Sequence, residues 1–118
     1  MSSLNSRSKG KRGEREWCEY LRSNFDLKAR RGQQYAGGTD SPDVVGGFGG
    51  THCEVKRVER LNIDKAMQQA ISDCGDLVPY VAHRRNQCDW LVTVRADDLR
   101  NFAASVVATI TGGVFTIE

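Results

Sequence analysis

The sequence predicts an α/β or α+β domain in which helices cover a mixed central sheet. Two segments repeat their apolar residues at the spacing of an amphipathic helix, and several short runs between and after them have the apolar character of strands. The predicted order is helix, three strands, helix, two strands and helix. With 118 residues the chain is long enough for one compact domain and too short for two of ordinary size.

The N-terminal part combines a basic arm with the first predicted helix. Residues 1–9 have no apolar periodicity, and we expect them to be disordered without a ligand, ahead of a single domain formed by residues 10–118. From Gly10 to Phe25 the apolar side chains recur along one stripe. Glu14 lies on that stripe shortly before Trp17, so its carboxylate is predicted to point toward the core side of the first helical turn.

Three strands and a helix are predicted in the middle of the chain. The segment from Leu27 to Tyr35 is a candidate strand. Two further strands, Asp43 to Val45 and Thr51 to Arg57, are predicted to form a hairpin through the glycine-rich turn GGFGG. A second amphipathic helix is predicted from Asn62 to about Asp76, with Gly75 as its stop signal.

The remaining residues predict a hairpin, a helix and a final strand. VPYVAHRR is largely apolar and is expected to be the central strand, paired with DWLVTVR through the turn NQCD. ADDLRNFAASVVA begins with acidic residues, which suit the first turn of a helix. Residues 104–110 fit either a helix or a strand, and the tail TITGGVFTIE ends in a run that favours a strand.

Composition excludes several classes of protein. No stretch approaches the roughly 18 apolar residues of a membrane helix, and no apolar segment follows the basic start as it would in a signal peptide. We therefore expect a cytoplasmic protein with no membrane partner. Four dispersed cysteines without a C-x-x-C pair argue for reduced thiols and against a zinc site.

Positive charge is concentrated near the N-terminus. Residues 1–31 hold nine Lys/Arg and four Asp/Glu, whereas residues 32–118 hold eight and eleven. A basic arm suits contact with a polyanion, because each phosphate that it neutralises releases condensed counterions. A solvated, disordered tail explains the same pattern equally well.

Three charged residues stand out in the predicted hairpin SPDVVGGFGGTHCEVKR. Side chains alternate along a strand, so we expect Cys53 and Val55 to face the core and Glu54 and Lys56 to share the accessible face. Asp43 on the neighbouring strand would then approach Glu54. Two carboxylates that close raise one another's pKa unless a cation lies between them.

Mg²⁺ suits such a site, because it is usually held by one or two carboxylates together with substrate phosphate and water. Glu14 is a candidate third acid, and Lys56 would stabilise negative charge on a phosphate and hold the attacking water. These parts suit metal-assisted phosphodiester hydrolysis. Residue by residue, a turn aspartate after Pro42 and a same-face ion pair are ordinary features, but a metal site explains the set better.

The sequence also resembles the PD-(D/E)XK nuclease superfamily. SPD followed after ten residues by EVK is similar to its motif, and KGKRGERE resembles the first helix of its archaeal-type Holliday junction resolvases, including small phage relatives. ARRG and DWLVTVR extend the similarity from about Lys9 to about Asp98. The resemblance implies a restriction-endonuclease-like fold in a prokaryotic or phage-infected cell, with Mg²⁺, or Mn²⁺ in its place, bound by Asp43, Glu54 and the backbone carbonyl of Val55.

The same resemblance implies roles for three further residues. Glu14 would assist metal binding, Lys56 would position the nucleophilic water, and Gln69 would support the lysine or the water. Periodicity does not choose between Gln68 and Gln69, since both flank the apolar stripe of their helix equally.

The expected partner is branched double-stranded DNA, cut by a homodimer because a four-way junction requires two nicks. Alternatives are a nuclease of this type with other DNA substrates and an inactive DNA-binding module. A solvated charged edge would account for any single arginine as well as a phosphate contact does. The candidate DNA contacts are Lys9, Lys11, Arg12, Arg30, Arg31, Arg57, Arg84 and Arg85.

Overall fold

Helices cover both faces of a three-stranded sheet in the computed structural model, which describes residues 3–32 and 43–112, with side chains from residue 10 onward. The predicted C-terminal strand lies largely outside these residues. Within them, no helix is long and apolar enough to cross a membrane. The elements are α1 (Ser3–Phe25), β1 (Arg30–Arg31), β2 (Val44–Val45), β3 (Thr51–Arg57), α2 (Ile63–Asp73), β4 (Val78–Arg84), β5 (Leu91–Val94) and α3 (Leu99–Ile110).

The main sheet is mixed, with strand order β3-β4-β5. β3 and β4 run parallel and are joined by α2, and β4 and β5 form the predicted antiparallel hairpin. β4 is the central strand, as its apolar sequence predicts. The predicted architecture, a mixed sheet flanked by helices, is confirmed.

The predicted hairpin between β2 and β3 is wrong. β2 pairs antiparallel with β1, with Arg30 opposite Val45, and these two strands form a small separate sheet. The GGFGG segment is an anchored crossing between the sheets, because Phe48 at its centre is buried against Phe25 and Phe102. Gly46 has a positive φ of 79°, and a Cβ there would lie 2.7 Å from the carbonyl oxygen of Lys28.

Both faces of β3 are buried, although the sequence analysis expects one to be accessible. On one face, Cys53 packs in a cluster with Trp17 of α1. On the other face of the sheet, Ala70 of α2 packs against Val81 of β4. Parallel strands joined by a crossover helix are commonly covered on both sides, which explains the difference.

The first helix is longer than predicted, the second agrees closely with its prediction, and the third resolves a segment that the sequence left ambiguous. α1 begins at Ser3, so its backbone is helical in a segment that the sequence analysis places in a disordered arm. α2 ends close to its prediction, before Gly75 with its positive φ of 55°. α3 continues to Ile110 because Phe102 and Val106 pack against the core, which decides the ambiguous segment in favour of a helix.

Gly13 marks a close contact between α1 and β3, and this contact predicts opposite effects for two glycine substitutions in one helix. A Cβ at Gly13 would lie 2.9 Å from the Cβ of Arg57, whereas nothing lies within 4 Å of a Cβ at Gly10. Gly13→Ala should lower the free energy of unfolding by about 1–2 kcal/mol, since overpacking costs about 1–3 kcal/mol and the gain in helix propensity returns only part of it.

The matched control, Gly10→Ala, should raise the free energy of unfolding by about 0.5–1 kcal/mol through helix propensity alone. Urea unfolding of both variants measures the difference. Equal stabilisation by the two substitutions would contradict the close packing of α1 on β3.

Candidate active site

A pocket of about 440 Å³ opens where α1 meets β3. It contains the four charged residues predicted to carry the chemistry, namely Glu14, Asp43, Glu54 and Lys56. Gly10, Val55, Arg57 and Val58 complete its lining. Residues from three separate parts of the chain therefore meet at one small opening.

Asp43 reaches β3 through its side chain although β2 does not pair with that strand. The backbone N–H of Val55 donates a hydrogen bond of 3.1 Å to Oδ2 of Asp43. This bond uses a donor near the middle of β3 and holds the carboxylate against the strand. The expected approach of Asp43 to Glu54 is thus achieved by a side-chain bond to the backbone.

Glu54 and Lys56 share one face of β3, as strand alternation predicts. Oε2 of Glu54 lies 3.3 Å from Nζ of Lys56. The Glu54 side chain is only 5% exposed and that of Lys56 is 29% exposed. The prediction that this face is accessible is wrong for Glu54, because α2 packs over the same side of the sheet, and only the lysine end reaches solvent.

Burial disfavours the ionised form of both pocket carboxylates, Asp43 and Glu54. Removal from water, followed by the negative charge of Glu54, raises the pKa of Asp43 from 3.8 to about 7, against the lowering effect of the Val55 N–H bond. Burial also raises the pKa of Glu54, while Lys56 opposes the rise. A divalent cation would relieve this cost, and two carboxylates are the donor set that suits a hard cation.

Glu14 borders the same pocket from α1. Its side chain is 13% exposed, and Nε of Arg31 donates a 2.7 Å hydrogen bond to its Oε1. The charge of Glu14 contributes to the raised pKa of Asp43, after burial and Glu54. Glu14 therefore faces inward, as helical periodicity predicts, and lies at the pocket. Arg31 of β1 orients its carboxylate.

The packing of α2 distinguishes between the two glutamines that periodicity leaves equivalent. Nζ of Lys56 donates a hydrogen bond of 3.3 Å to Oε1 of Gln69. Gln69 thus lies beside the lysine but does not line the pocket, and the Lys56 ammonium group contacts both Glu54 and Gln69. Gln68 has no such contact among the described hydrogen bonds.

Three of the predicted DNA-contacting arginines already have carboxylate partners. Besides Arg31, which bonds to Glu14, Nε of Arg57 donates a 2.7 Å hydrogen bond to Oε1 of Glu16, and Nη1 of Arg84 lies 3.7 Å from the same oxygen. Sequence reasoning gave Glu16 no role, because nothing in the local pattern indicates a partner so far along the chain. The side chain of Lys9 lies outside the described residues. The four other predicted contacts are exposed, namely Lys11, Arg12, Arg30 and Arg85.

The fold matches that of an archaeal Holliday junction resolvase of the PD-(D/E)XK nuclease superfamily. The chain matches the structure of Hjc, a Holliday junction resolvase from the archaeal hyperthermophile Archaeoglobus fulgidus, with a TM-score of 0.51 and 26% sequence identity. The match covers 73% of this chain and 72% of that one. The resemblance predicted from the sequence is confirmed. No family model and no curated protein matches the chain.

The raised pKa of Asp43 predicts a pH-dependent effect of Asp43→Asn on the metal-free protein. Between about pH 4 and 7 the folded protein retains a proton that the unfolded chain releases, so the stability contributed by protonated Asp43 is lost as the pH rises. Asparagine stays neutral, and its Oδ1 can still accept from the Val55 N–H. The free energy of unfolding of the variant, relative to that of the wild type, should therefore be higher at about pH 8 than at about pH 5.

Urea unfolding in the presence of a chelator measures this difference. Glu19→Gln, an exposed change on α1, controls for the loss of a carboxylate in general. An Asp43→Asn effect that is the same at both pH values would contradict the raised pKa.

Proposed function

We propose that this protein is a Mg²⁺-dependent endonuclease that cuts branched DNA in the manner of a Holliday junction resolvase. The observation that carries the proposal is the meeting of Asp43, Glu54 and Lys56 in one pocket against β3, where burial disfavours the charge of both acids. The likeness to Hjc supports the same class of reaction.

Asp43 and Glu54 would hold the cation, with the Val55 carbonyl as a backbone ligand and Glu14 as a further acid at the pocket edge. The bound cation would supply a Lewis acid that withdraws charge from the phosphate; Mn²⁺, which takes similar oxygen ligands, is expected to substitute. The Val55 N–H bond keeps Asp43 oriented before the cation arrives, so little reorganisation is required on binding.

Lys56 is suited to the phosphate and the attacking water. Its side chain is partly exposed at the pocket, so a substrate there can reach it. Glu54 and Gln69 restrict its position from two sides, each at 3.3 Å from Nζ. In the proposed reaction this positive charge stabilises the negative charge that develops on the phosphate and orients the water by a hydrogen bond.

Branched DNA would be recognised by its shape and its phosphates. The exposed basic residues on α1 and at the ends of β1 and β4 are candidates for phosphate contacts, which position the DNA without specifying bases. A homodimer would place one pocket at each of the two strands to be cut, as the symmetry of a four-way junction requires.

Replacing either pocket acid by its amide should abolish cleavage and preserve the fold. Asp43→Asn and Glu54→Gln are expected to reduce the rate of junction cleavage by about 100-fold or more, the usual scale for a lost electrostatic contribution to the transition state. DNA binding without metal should remain near that of the wild type. Because Asp43→Asn should also gain stability at neutral pH and above, its lost activity could not be attributed to unfolding.

The control is Glu19→Gln, which should cut at the wild-type rate. Each protein is assayed on junction, flap, nicked and linear duplex DNA at matched salt. Cleavage by Asp43→Asn at the wild-type rate would contradict the proposed site, and equal rates on junctions and linear duplex would contradict the proposed substrate.

Gln69 and its neighbour offer a matched pair for the positioning of Lys56. Gln69→Ala should lower kcat by about 10-fold to 100-fold with little change in KM, the scale of lost support for an active-site group. Gln69→Glu keeps an oxygen within reach of Nζ and should restore part of the rate. Single-turnover cleavage measures these effects, and an equal loss in Gln68→Ala would show that α2 acts only as a structural support.

A further inference from the structure

A second group of potential cation ligands lies beside the pocket, under the C-terminal end of α2. One ring nitrogen of His52 and one carboxylate oxygen from each of Glu54 and Asp73 lie within 4.8 Å of one another. His52 and Glu54 are two residues apart on β3 and so project from the same face. Asp73 is the last residue of α2, which covers that face.

Among the described residues, one ring nitrogen of His52 has no hydrogen-bond partner. The residue is only 8% exposed, and its Nε2 is buried without a hydrogen bond among the described residues. None of the ion pairs found in residues 10–32 and 43–112 includes His52. Buried polar atoms nearly always have a partner, so this nitrogen is available to a ligand that the described residues do not supply.

The spacing of the three groups fits a shared cation better than direct pairing. Two donors at about 2.1 Å from one ion lie up to about 4 Å apart, so only a small contraction would bring all three groups into contact with it. Asp73 is exposed, which leaves its side chain free to make that adjustment and opens the group to solvent.

We propose that His52, Glu54 and Asp73 form a second divalent-cation site, which binds transition-metal ions in preference to Mg²⁺. Imidazole nitrogen suits Zn²⁺, Co²⁺ and similar ions, whereas Mg²⁺ prefers an all-oxygen set. Glu54 belongs to this site and to the proposed catalytic pocket. Occupation of the second site therefore draws on a ligand of the first and couples DNA cleavage to the supply of transition metal.

Co²⁺ is a suitable probe, because its visible absorption reports the ligands that bind it. The titration uses the full chain with Asp43→Asn, which impairs the pocket site and leaves the three proposed ligands intact. We expect one bound Co²⁺ whose absorption lacks the near-ultraviolet band of thiolate ligation. His52→Gln and Asp73→Asn should each weaken binding by at least about tenfold.

His83→Gln is the matched control, since His83 already bonds to Thr93 at 2.9 Å and should leave Co²⁺ binding unchanged. Asp73 is exposed, so Asp73→Asn should fold normally and decides the matter if His52→Gln does not fold. Unchanged affinity in Asp73→Asn, or a thiolate band in the spectrum, would overturn the second site.

The binding experiment and the cleavage assays can fail independently. Loss of Co²⁺ binding in Asp73→Asn supports the second site even if the protein cuts no DNA. Conversely, cleavage could depend on Asp43 while Co²⁺ binding is unaffected by substitution of His52 and Asp73. That result would support the nuclease and contradict the second site.

Discussion

The hydrogen bond from the backbone N–H of Val55 to Oδ2 of Asp43 is the interaction on which the pocket depends. β2 and β3 belong to different sheets, so no strand pairing brings Asp43 to Glu54. This side-chain bond ties Asp43 to β3 and orients its carboxylate, while the Gly32 N–H holds its backbone carbonyl. The anchored Phe48 supports the arrangement, because it holds the connection between the two sheets in the core.

Burial of Glu54 disfavours the charged form of its carboxylate. A carboxylate under α2 is desolvated, and Lys56 compensates it only in part. Under the proposed function, a bound cation would offset this unfavourable charge, so that stability is given up in favour of metal binding. α2 contributes to both groups of side chains, since Gln69 bonds to Lys56 and Asp73 lies near His52 and Glu54.

Local patterns predicted the elements well, and long-range pairing poorly. β3 has the predicted bounds, and β4 is central because a largely apolar strand is stable only when covered on both sides. The prediction that β2 and β3 form a hairpin was wrong, because the glycines of GGFGG indicate a bend but do not specify which strands pair. The contacts of Glu16 with Arg57 and Arg84 were missed for the same reason, as they join residues far apart in the chain.

By itself, the sequence determined that Glu54 and Lys56 share a face, because alternation along a strand is a property of the local backbone. It also determined that Glu14 lies on the inward stripe of its helix, since helical periodicity is equally local. Only the tertiary structure decided that Asp43 meets β3 through a backbone amide, that Glu54 is buried, and that Gln69 contacts the lysine. These depend on how helices and sheets pack against one another, and packing is set by the whole chain at once.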